Sequence, residues 1–381
     1  MSNLATIATE IKGETMSAKR EIRVAIVGLG NCASALVQGI EYYKDAKETD
    51  YVPGVMHTNF GGYHIRDIKV VAAFDVNTNK VGKDVAEAIY AEPNNTAVFA
   101  KVPKTGVIVQ RGPRMDGVNK YTADLVPVDD KHKPVDVVKV LKDAKVDAVI
   151  NYLPVGSQEA TEFYAQAAID AHAGFVNCIP VFIASNKKWA KKFADAGLPI
   201  IGDDMKSQVG ATIVHRTLVN LFLDRGMKID RTYQLNTGGN TDFLNMLERE
   251  RLMYKKISKT EAVQSQIEAR GQTIAPDDIH VGPSDYVPWQ KDNKICFIRI
   301  ESKHFGDVPM NLELRLSVED SPNSAGVVID SVRCMKLAMN KGYGGPIIEP
   351  AAYFQKHPPQ QIEDRTARQL VEDYITANKL D

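Results

Sequence analysis

Residues 22–33 read IRVAIVGLGNCA, and this stretch decides the fold. Its β-branched run predicts a buried strand over 22–27, and a helix is expected from residue 31 to about 43. The turn between them fits the pattern G-x-G-x-x-G/A, which binds a dinucleotide pyrophosphate through close backbone approach and a helix N-terminus. A glycine turn that holds no ligand is the alternative. The candidate cofactor residues in this turn are Gly28, Gly30, Asn31, Cys32 and Ala33.

Strands and helices then alternate along the chain, which predicts a parallel sheet with helices on both faces. Strands are expected at 68–74, 146–152, 175–179 and 198–201, and helices at 80–90, 135–144, 158–171, 186–196 and 207–224. Residues 93–128 are rich in Pro, Gly and Asn, so they indicate a β-rich insertion or a long surface loop. The fold class is α/β, a doubly wound Rossmann-like sheet.

The pattern changes after residue 226. Strands are expected at 231–236 and 295–300, and 311–318 alternates with period two, as an antiparallel strand with one wet face does. A helix over 322–341 returns to the first sheet. The predicted organisation is an N-terminal arm over 1–20, a dinucleotide-binding domain from 21–210 and 322–381, and an inserted α+β catalytic and oligomerisation domain over 211–321.

Composition excludes several classes of protein. The 381 residues carry 47 basic and 48 acidic side chains, a net charge of −1, which is no footprint for nucleic acid or anionic membranes. Four cysteines lie far apart without metal-ligand spacing, so free thiols are expected. No apolar run approaches the roughly 20 residues of a spanning helix, and charged residues interrupt any signal sequence. We therefore expect a cytoplasmic protein.

The acidic partner of the glycine turn is expected at the end of the second strand, where Asp75 follows IKVVAAF. It lies 47 positions after Gly28 rather than about 20, and an insertion over 47–67 accounts for the excess. A carboxylate there binds ribose hydroxyls and repels a 2′-phosphate, so NAD is favoured over NADP. The alternative is that Asp75 caps the next helix.

Polar and small residues follow three later strands in the predicted sheet. Ligands of open α/β sheets bind beyond the carboxyl ends of strands, so these loops predict a lined crevice. The candidate cofactor residues in the loops are Asn151, Pro154, Gly156, Ser157, Asp203 and Asp204, and the candidate substrate residues are Lys206 and Ser207.

The second region adds a Gly/Asn-rich loop and a basic helix. The loop residues suited to binding an oxygen-rich ligand are Gly239, Asn240, Thr241 and Asp242. Lys255 and Lys259 share one helix face, and two converging ammonium groups favour an anion between them. A solvated basic helix face is the alternative.

Several motifs together resemble the myo-inositol-1-phosphate synthase family, in its shorter bacterial and archaeal form. The resemblance runs from about residue 21 to about residue 361 and rests on GLGNCAS, NYLPVGS, GDDMKSQVGAT, NTGGNTDFLNM with KKISKT, VEDSPNSAGVVIDSVR and GYGGPI. The family implies an isomerisation of open-chain glucose 6-phosphate with catalytic NAD. C5 is oxidised, C6 is enolised, an intramolecular aldol step closes the ring, and C5 is reduced to give inositol 1-phosphate.

The resemblance also assigns residues. The implied catalytic residues are Lys255, Lys259, Lys294, Lys356, Asp204, Asp242 and Asp320. Lys291 and Lys303 are the alternatives to Lys294. The metal ligands are unknown: a divalent ion beside the phosphate or carbonyl is left open, with the three aspartates as oxygen donors. Homotetramers are implied.

Two other functions are kept in view. An NAD-dependent dehydrogenase of a phosphorylated sugar would accumulate NADH with product, and a nucleotide-binding protein without turnover would need its lysines only for an anion. The spread of ionisable candidates over separate segments disfavours the second, because binding one phosphate needs fewer groups.

Overall fold

The computed structural model describes residues 20–282 and 285–380, and for residues 251–259 it describes the backbone alone. The strands are β1 Ile22–Val27, β2 Asn59–Phe60, β3 Tyr63–His64, β4 Ile68–Asp75, β5 Gln110–Arg111, β6 Ala148–Asn151, β7 Gly174–Asn177, β8 Pro199–Ile201, β9 Lys228–Gly238, β10 Ile279–Val281, β11 Asp285–Tyr286, β12 Asn293–Lys303, β13 Pro309–Glu319 and β14 Gly345–Pro346. The helices are α1 Asn31–Tyr42, α2 Val85–Ala88, α3 Val137–Asp143, α4 Gln158–Asp170, α5 Lys187–Asp195, α6 Ala211–Asp224, α7 Thr241–Asn245, α8 Met253–Ala269, α9 Pro322–Asn340, α10 Ile348–Phe354 and α11 Asp364–Asn378. None of the helices in the described ranges is long and apolar enough to cross a bilayer.

Seven parallel strands form the first sheet in the order β14-β8-β7-β6-β1-β4-β5, which confirms the doubly wound α/β fold. The chain leaves β1 in one direction to β4 and β5 and later crosses to β6 on the other side. This reversal opens a crevice at the carboxyl ends of β1 and its neighbours, where ligands of such sheets bind. Apolar side chains cover both faces of the sheet, as its continuous hydrophobic strands require.

A second sheet has the order β10-β9-β12-β13, with β11 also paired to β9. Its long pairs, β9 with β12 and β12 with β13, are antiparallel as expected, whereas the short strands β10 and β11 run parallel to β9. The face buried against α6 and α8 carries Cys296, Ile298 and Ile300. Helix α9 and strand β14 return to the first sheet, and α9 packs on α1.

The predicted helix over 80–90 is wrong. Gly82 adopts a left-handed φ of +81°, and residues 82–85 instead bond to 107–109 of the long loop. Only Val85–Ala88 is helical, capped by the Asp84 carboxylate. The pairing with residues more than 20 positions away overrides the local helical pattern. A short window of sequence does not contain both partners of that pairing, so it cannot predict it.

The predicted start of the helix over 207–224 is early by four residues. The chain before Ala211 is extended because residues 203–206 bond to the backbone of 354–357, and Gln208 bonds to Asn323. The loop over 93–128 is irregular apart from the two-residue strand β5. All four cysteines are free thiols, as expected.

Candidate active site

The glycine turn after β1 has the conformation that dinucleotide binding requires. Gly28 has a φ of +85°, and a Cβ there would lie 2.8 Å from the Tyr152 carbonyl oxygen. A Cβ on Gly30 would meet no described heavy atom within 4 Å, so the backbone here faces open space. No described side chain caps the first turn of α1. The open approach and the uncapped helix N-terminus fit a pyrophosphate.

Asp75 lies at the end of β4 beside this turn. Its Oδ2 accepts a hydrogen bond from the Leu29 N–H at 2.8 Å, and its Oδ1 accepts from Val76 and Asn77. The helix that follows is capped by Asp84 instead, so the capping alternative for Asp75 does not apply. The carboxylate therefore both fixes the glycine turn and lines the cavity beyond it.

A cavity of about 290 Å³ opens beyond the carboxyl ends of β1, β4, β6 and β7. It gathers candidates that the sequence scatters over nearly 330 positions, from both the first sheet and the second region. The predicted residues that line it are Gly28, Gly30, Asn31, Cys32, Asp75, Pro154, Asp204, Ser207, Asn240, Thr241, Asp242, Lys294, Asp320 and Lys356.

Lys294 and Asp320 form one ion pair in this cavity. β12 and β13 pair in register so that Lys294 lies opposite Val318, which brings its Nζ within 3.1 Å of Asp320 Oδ1. Burial opposes the charge on Lys294, but the neighbouring carboxylate more than compensates and raises the pKa of the ammonium. Neither of the alternatives to Lys294 lines the cavity, and Lys303 instead contacts Asp230 at 3.6 Å.

Lys356 and Asp204 form a second pair. Lys356 Nζ donates to Asp204 Oδ1 at 2.7 Å and to the Met205 carbonyl at 2.7 Å. Their backbones are also paired, since Lys356 N–H donates to the Asp204 carbonyl. Asp204 has a φ of +63°, an uncommon conformation for a residue with a Cβ, and the two-stranded pairing holds it there.

Lys206 requires a correction. Its ammonium points away from the cavity and donates to Asp364 Oδ1 at 2.9 Å and to the Ala352 carbonyl at 2.8 Å. Burial lowers its pKa to about 8, although the Asp364 charge works against this. Regular alternation along an extended segment would put Asp204 and Lys206 on the same face. The left-handed φ of +63° at Asp204 interrupts that alternation, so Asp204 lines the cavity and Lys206 does not.

Asp203 is also a correction. Its carboxylate accepts hydrogen bonds from Asn177, from the N–H groups of residues 183–185 and from the Ser185 hydroxyl, so it fastens one strand-end loop to the next. Asn151 lies behind the cavity in the same way, with its Nδ2 donating to Asn177. These polar groups bond to neighbouring loops and do not line the cavity.

Four further candidates do not line the cavity. Ser157 donates its hydroxyl to the Pro154 carbonyl at 2.6 Å and Gly156 has a φ of +83°, so both shape the loop. Ala33 is fully buried behind the turn. Gly239 has no room for a side chain, because a Cβ would lie 2.4 Å from the Val287 carbonyl.

Two buried charges at the site were missed from the sequence. Lys80 Nζ donates to the Leu29 carbonyl at 2.7 Å, and burial lowers its pKa. Asp292 accepts from Asn31, Asn240 and Ser321, at 3.1, 2.8 and 3.0 Å, and burial raises its pKa. Asp292 stands two residues before the candidate Lys294, and this closeness in sequence was the available signal. Lys80 has no such signal.

Lys255 and Lys259 belong to α8, but their side chains lie outside the described residues. No group of three or more His, Cys, Asp or Glu side chains that could hold a metal occurs within the described residues. The aspartates that the sequence offers as oxygen donors line one cavity without forming such a group.

Comparisons with known proteins identify the family of this chain. The family model described as myo-inositol-1-phosphate synthase matches residues 210–321. Inositol-3-phosphate synthase from Mycobacterium tuberculosis (strain CDC 1551 / Oshkosh) is 60% identical, with 94% of this chain and 96% of the relative aligned. The chain belongs to the myo-inositol-1-phosphate synthase family. The resemblance of the motifs is thereby confirmed.

Two further members of the synthase family extend the comparison. Inositol-3-phosphate synthase from Corynebacterium glutamicum is 54% identical over 93% of this chain and 98% of its own length. The crystal structure of inositol-3-phosphate synthase from Caenorhabditis elegans superposes with a TM-score of 0.72 at 16% identity, covering 95% of this chain and 86% of that one. At that identity the superposition shows a common fold, and the close bacterial relatives carry the family assignment.

Proposed function

We propose that this chain is an NAD-dependent inositol-phosphate synthase that isomerises glucose 6-phosphate to inositol 1-phosphate. The observation that carries the proposal is a single cavity in which a dinucleotide-type glycine turn meets two lysine–aspartate pairs, Lys294–Asp320 and Lys356–Asp204. A simple dehydrogenase needs one proton acceptor beside the transferred hydride. A reaction that forms several oxyanions in succession needs more fixed cations, and this cavity supplies them.

The residues present fit NAD. The backbone at Gly28 and Gly30 and the N-terminus of α1 would hold the pyrophosphate, and Asp75 would face the adenosine ribose. When bound, NAD supplies reversible acceptance and return of a hydride, so that the sugar carries a C5 ketone for part of the cycle without net oxidation. The remaining chemistry belongs to side chains of this chain.

Lys294 suits the role of a fixed positive charge. It remains protonated at neutral pH because Asp320 raises its pKa, and it is held at one geometry by that ion pair. A ketone at C5 acidifies the hydrogens on C6, and removing one places negative charge on the C5 oxygen. A pre-positioned cation stabilises such an enolate by several kcal/mol relative to water.

Lys356 suits proton transfer at a substrate oxygen. Asp204 accepts one of its hydrogen bonds and the Met205 carbonyl another, which orients the third N–H. We assign to it protonation and deprotonation of the oxygens at C5 or C1. Lys255 and Lys259, on α8, are proposed to bind the phosphate and the C1 oxygen.

The loop after β9 is proposed to bind the sugar hydroxyls and the phosphate. Asn240 caps α7 by accepting from the N–H groups of Asp242 and Phe243, which fixes where Thr241 and Asp242 face the cavity. Ser207 lines the same cavity from the segment between β8 and α6. The substrate would therefore lie between the two sheets, with its reacting carbons beside both lysine–aspartate pairs.

One incubation tests the proposal. Purified protein is mixed with glucose 6-phosphate and a small amount of NAD, the phosphorus-containing product is identified by NMR, and absorbance at the NADH band is followed. Inositol 1-phosphate at many turnovers per NAD is the expected result. NADH formed in proportion to product would favour the dehydrogenase, and NAD binding without product would favour a binding protein.

Homotetramer assembly is part of the same proposal, and metal dependence is left to a direct test. The outer face of the second sheet exposes Leu235 and Phe297, each 42% accessible, a surface that a second subunit could cover. Light scattering tests the assembly, with a mass of one chain as the contrary result. Loss of activity after chelation, and its return when divalent ions are added, would show that a metal is required. Activity unchanged by chelation would show that none is.

A further inference from the structure

Arg216, on α6, is fully buried at a junction of three segments. Its Nη1 donates to the Ala262 carbonyl on α8 at 3.0 Å and to Gln361 Oε1 at 3.3 Å. Its Nη2 donates to the Ile362 carbonyl at 3.3 Å, and its Nε to Asp364 Oδ2 at 2.8 Å. One guanidinium thus joins the backbone of α8 to the segment before α11.

Gln361 extends this junction to the candidate active site. Its Nε2 donates to the backbone carbonyl of Lys356 at 2.8 Å, while its Oε1 accepts from Arg216. The connection from the guanidinium to the Lys356 backbone therefore passes through a single side chain. Lys356 in turn pairs with Asp204 in the cavity, so a shift of Arg216 reaches that pair through two hydrogen bonds.

Asp364 closes the junction on its other side. Its carboxylate accepts from Arg216 and from Lys206, whose ammonium also holds the Ala352 carbonyl of α10. Burial works against the charge on Asp364, but the two cations keep the pKa of the carboxyl below its usual value. Lys206, which bonds to Asp364, lies two residues after Asp204, and Gln361 joins Lys356 to Arg216. Both partners of the Lys356–Asp204 pair are therefore connected to the Arg216–Asp364 ion pair.

Ala262 lies three residues after Lys259 on the same helix. Lys255 and Lys259 lie on α8, far from Lys356 in sequence. Arg216 bonds to α8 directly and to the segment that carries Lys356 through Gln361. Lysine could not replace it, because an ammonium has three donors without the planar fork that reaches separate carbonyls.

We infer that Arg216 is a positioning residue for the proposed reaction: it fixes the backbone of α8 relative to the Lys356 segment, and both carry lysines to which the proposed function assigns roles. The inference rests on the proposed function for the roles of these lysines. Arg216 acts through the Ala262 carbonyl on one side and through Gln361 on the other, without contact with substrate. Misplacing a catalytic group by about 1 Å costs on the order of a hundredfold in rate.

The test compares Arg216→Lys and Gln361→Met with the control Arg270→Gln. Arg270, directly after α8, pairs with Asp224, the last residue of α6, at 3.0 Å, so this exposed ion pair links the ends of the same two helices. For Arg216→Lys we expect kcat to fall roughly ten- to a hundredfold with the NAD affinity unchanged, and for Gln361→Met a smaller fall. The control should keep the kcat of the unmodified protein.

Hydrogen exchange supplies a second readout that needs no turnover. In both variants the amides of residues 354–363 should exchange faster, and in Arg216→Lys those of 260–266 as well, with the glycine turn unchanged. Unchanged exchange in either segment of Arg216→Lys would overturn the inference, as would an unchanged kcat. A fall in NAD affinity that parallels kcat would make Arg216 a general stability residue and overturn it too.

The two proposals fail in distinguishable ways. If the unmodified protein forms no inositol phosphate, the proposed function fails. The exchange measurement then decides separately whether Arg216 couples the two segments.

Discussion

Lys294 at the start of β12 and Asp320 just after β13 form a 3.1 Å ion pair inside the cavity that the glycine turn also lines. The antiparallel register of the two strands creates this pair, and the cavity brings it together with the glycine turn at the edge of the first sheet. The ion pair therefore keeps Lys294 protonated and fixes the position of its ammonium group in the cavity. Stabilisation of a developing oxyanion requires such a fixed charge.

Replacing Lys294 tests this relationship. Lys294→Met keeps the length of the side chain and removes its charge, so we expect kcat to fall by about 10²–10³ with NAD binding retained. Product formation and a separate NAD titration measure the two effects. Lys303→Met is the matched control, because Lys303 lies on the same strand and contacts Asp230 outside the cavity. Comparable rates for both variants would remove Lys294 from the reaction.

Lys255 and Lys259 are tested in the same way. Lys255→Ala and Lys259→Ala should each abolish measurable inositol phosphate formation while NAD stays bound, because the anions of the substrate lose their counter-charges. Lys188→Ala, on the exposed side of α5, is a control for loss of a helical lysine. Near-normal turnover by either variant would exclude the role proposed for that lysine.

Asp75→Ala should weaken NAD binding without destroying the fold. The change removes the acceptor for the Leu29 N–H and the group proposed to bind the ribose, each worth roughly 1–3 kcal/mol when a charged acceptor is lost. The predicted result is a rise in the NAD concentration for half-maximal rate, with kcat recovered at saturation. Asp143→Ala, an exposed aspartate on α3, is the control. Unchanged rates at limiting NAD would remove Asp75 from the cofactor site.

His215 predicts how stability depends on pH. The ring is fully buried on α6, its Nε2 lies 2.7 Å from the Thr232 hydroxyl, and burial lowers its pKa to about 4 from 6.5. Below pH 6.5 the unfolded chain binds a proton that the folded protein excludes, so the free energy of unfolding falls as the pH drops from 6.5 to 4.

Denaturant titrations across that range measure the effect. The shift corresponds to a loss of about 3 kcal/mol by pH 4, at 1.36 kcal/mol for each pH unit. His215→Gln retains a donor for Thr232 and should flatten the decline, whereas His304→Gln, at an exposed site, should not. Parallel pH profiles for the unmodified protein and His215→Gln would show that His215 makes no such contribution.

Most of the first sheet followed from the sequence. The apolar strands and the glycine turn carry their own signals, since a strand buried on both faces must be hydrophobic throughout and the turn needs glycine where φ is positive. The helix over 80–90 failed because residues 82–85 pair with a distant loop. Lys294, Lys356 and Asp320 came from the resemblance to a family alone, whereas the other candidate aspartates and lysines were also indicated by local patterns. The structure then showed which of the described side chains line the cavity.

The sequence by itself determined the doubly wound fold, the glycine turn of dinucleotide-binding type and the family to which the chain belongs, because short contiguous motifs carry each of them. The tertiary structure decided which charges face the cavity. Lys206 and Asp203 bond to neighbouring loops instead, while Lys80, which no motif marks, and Asp292, two residues before Lys294, are buried beside the glycine turn. A side chain's direction depends on which distant segments pair with its own backbone, and that pairing exists only once the chain has folded.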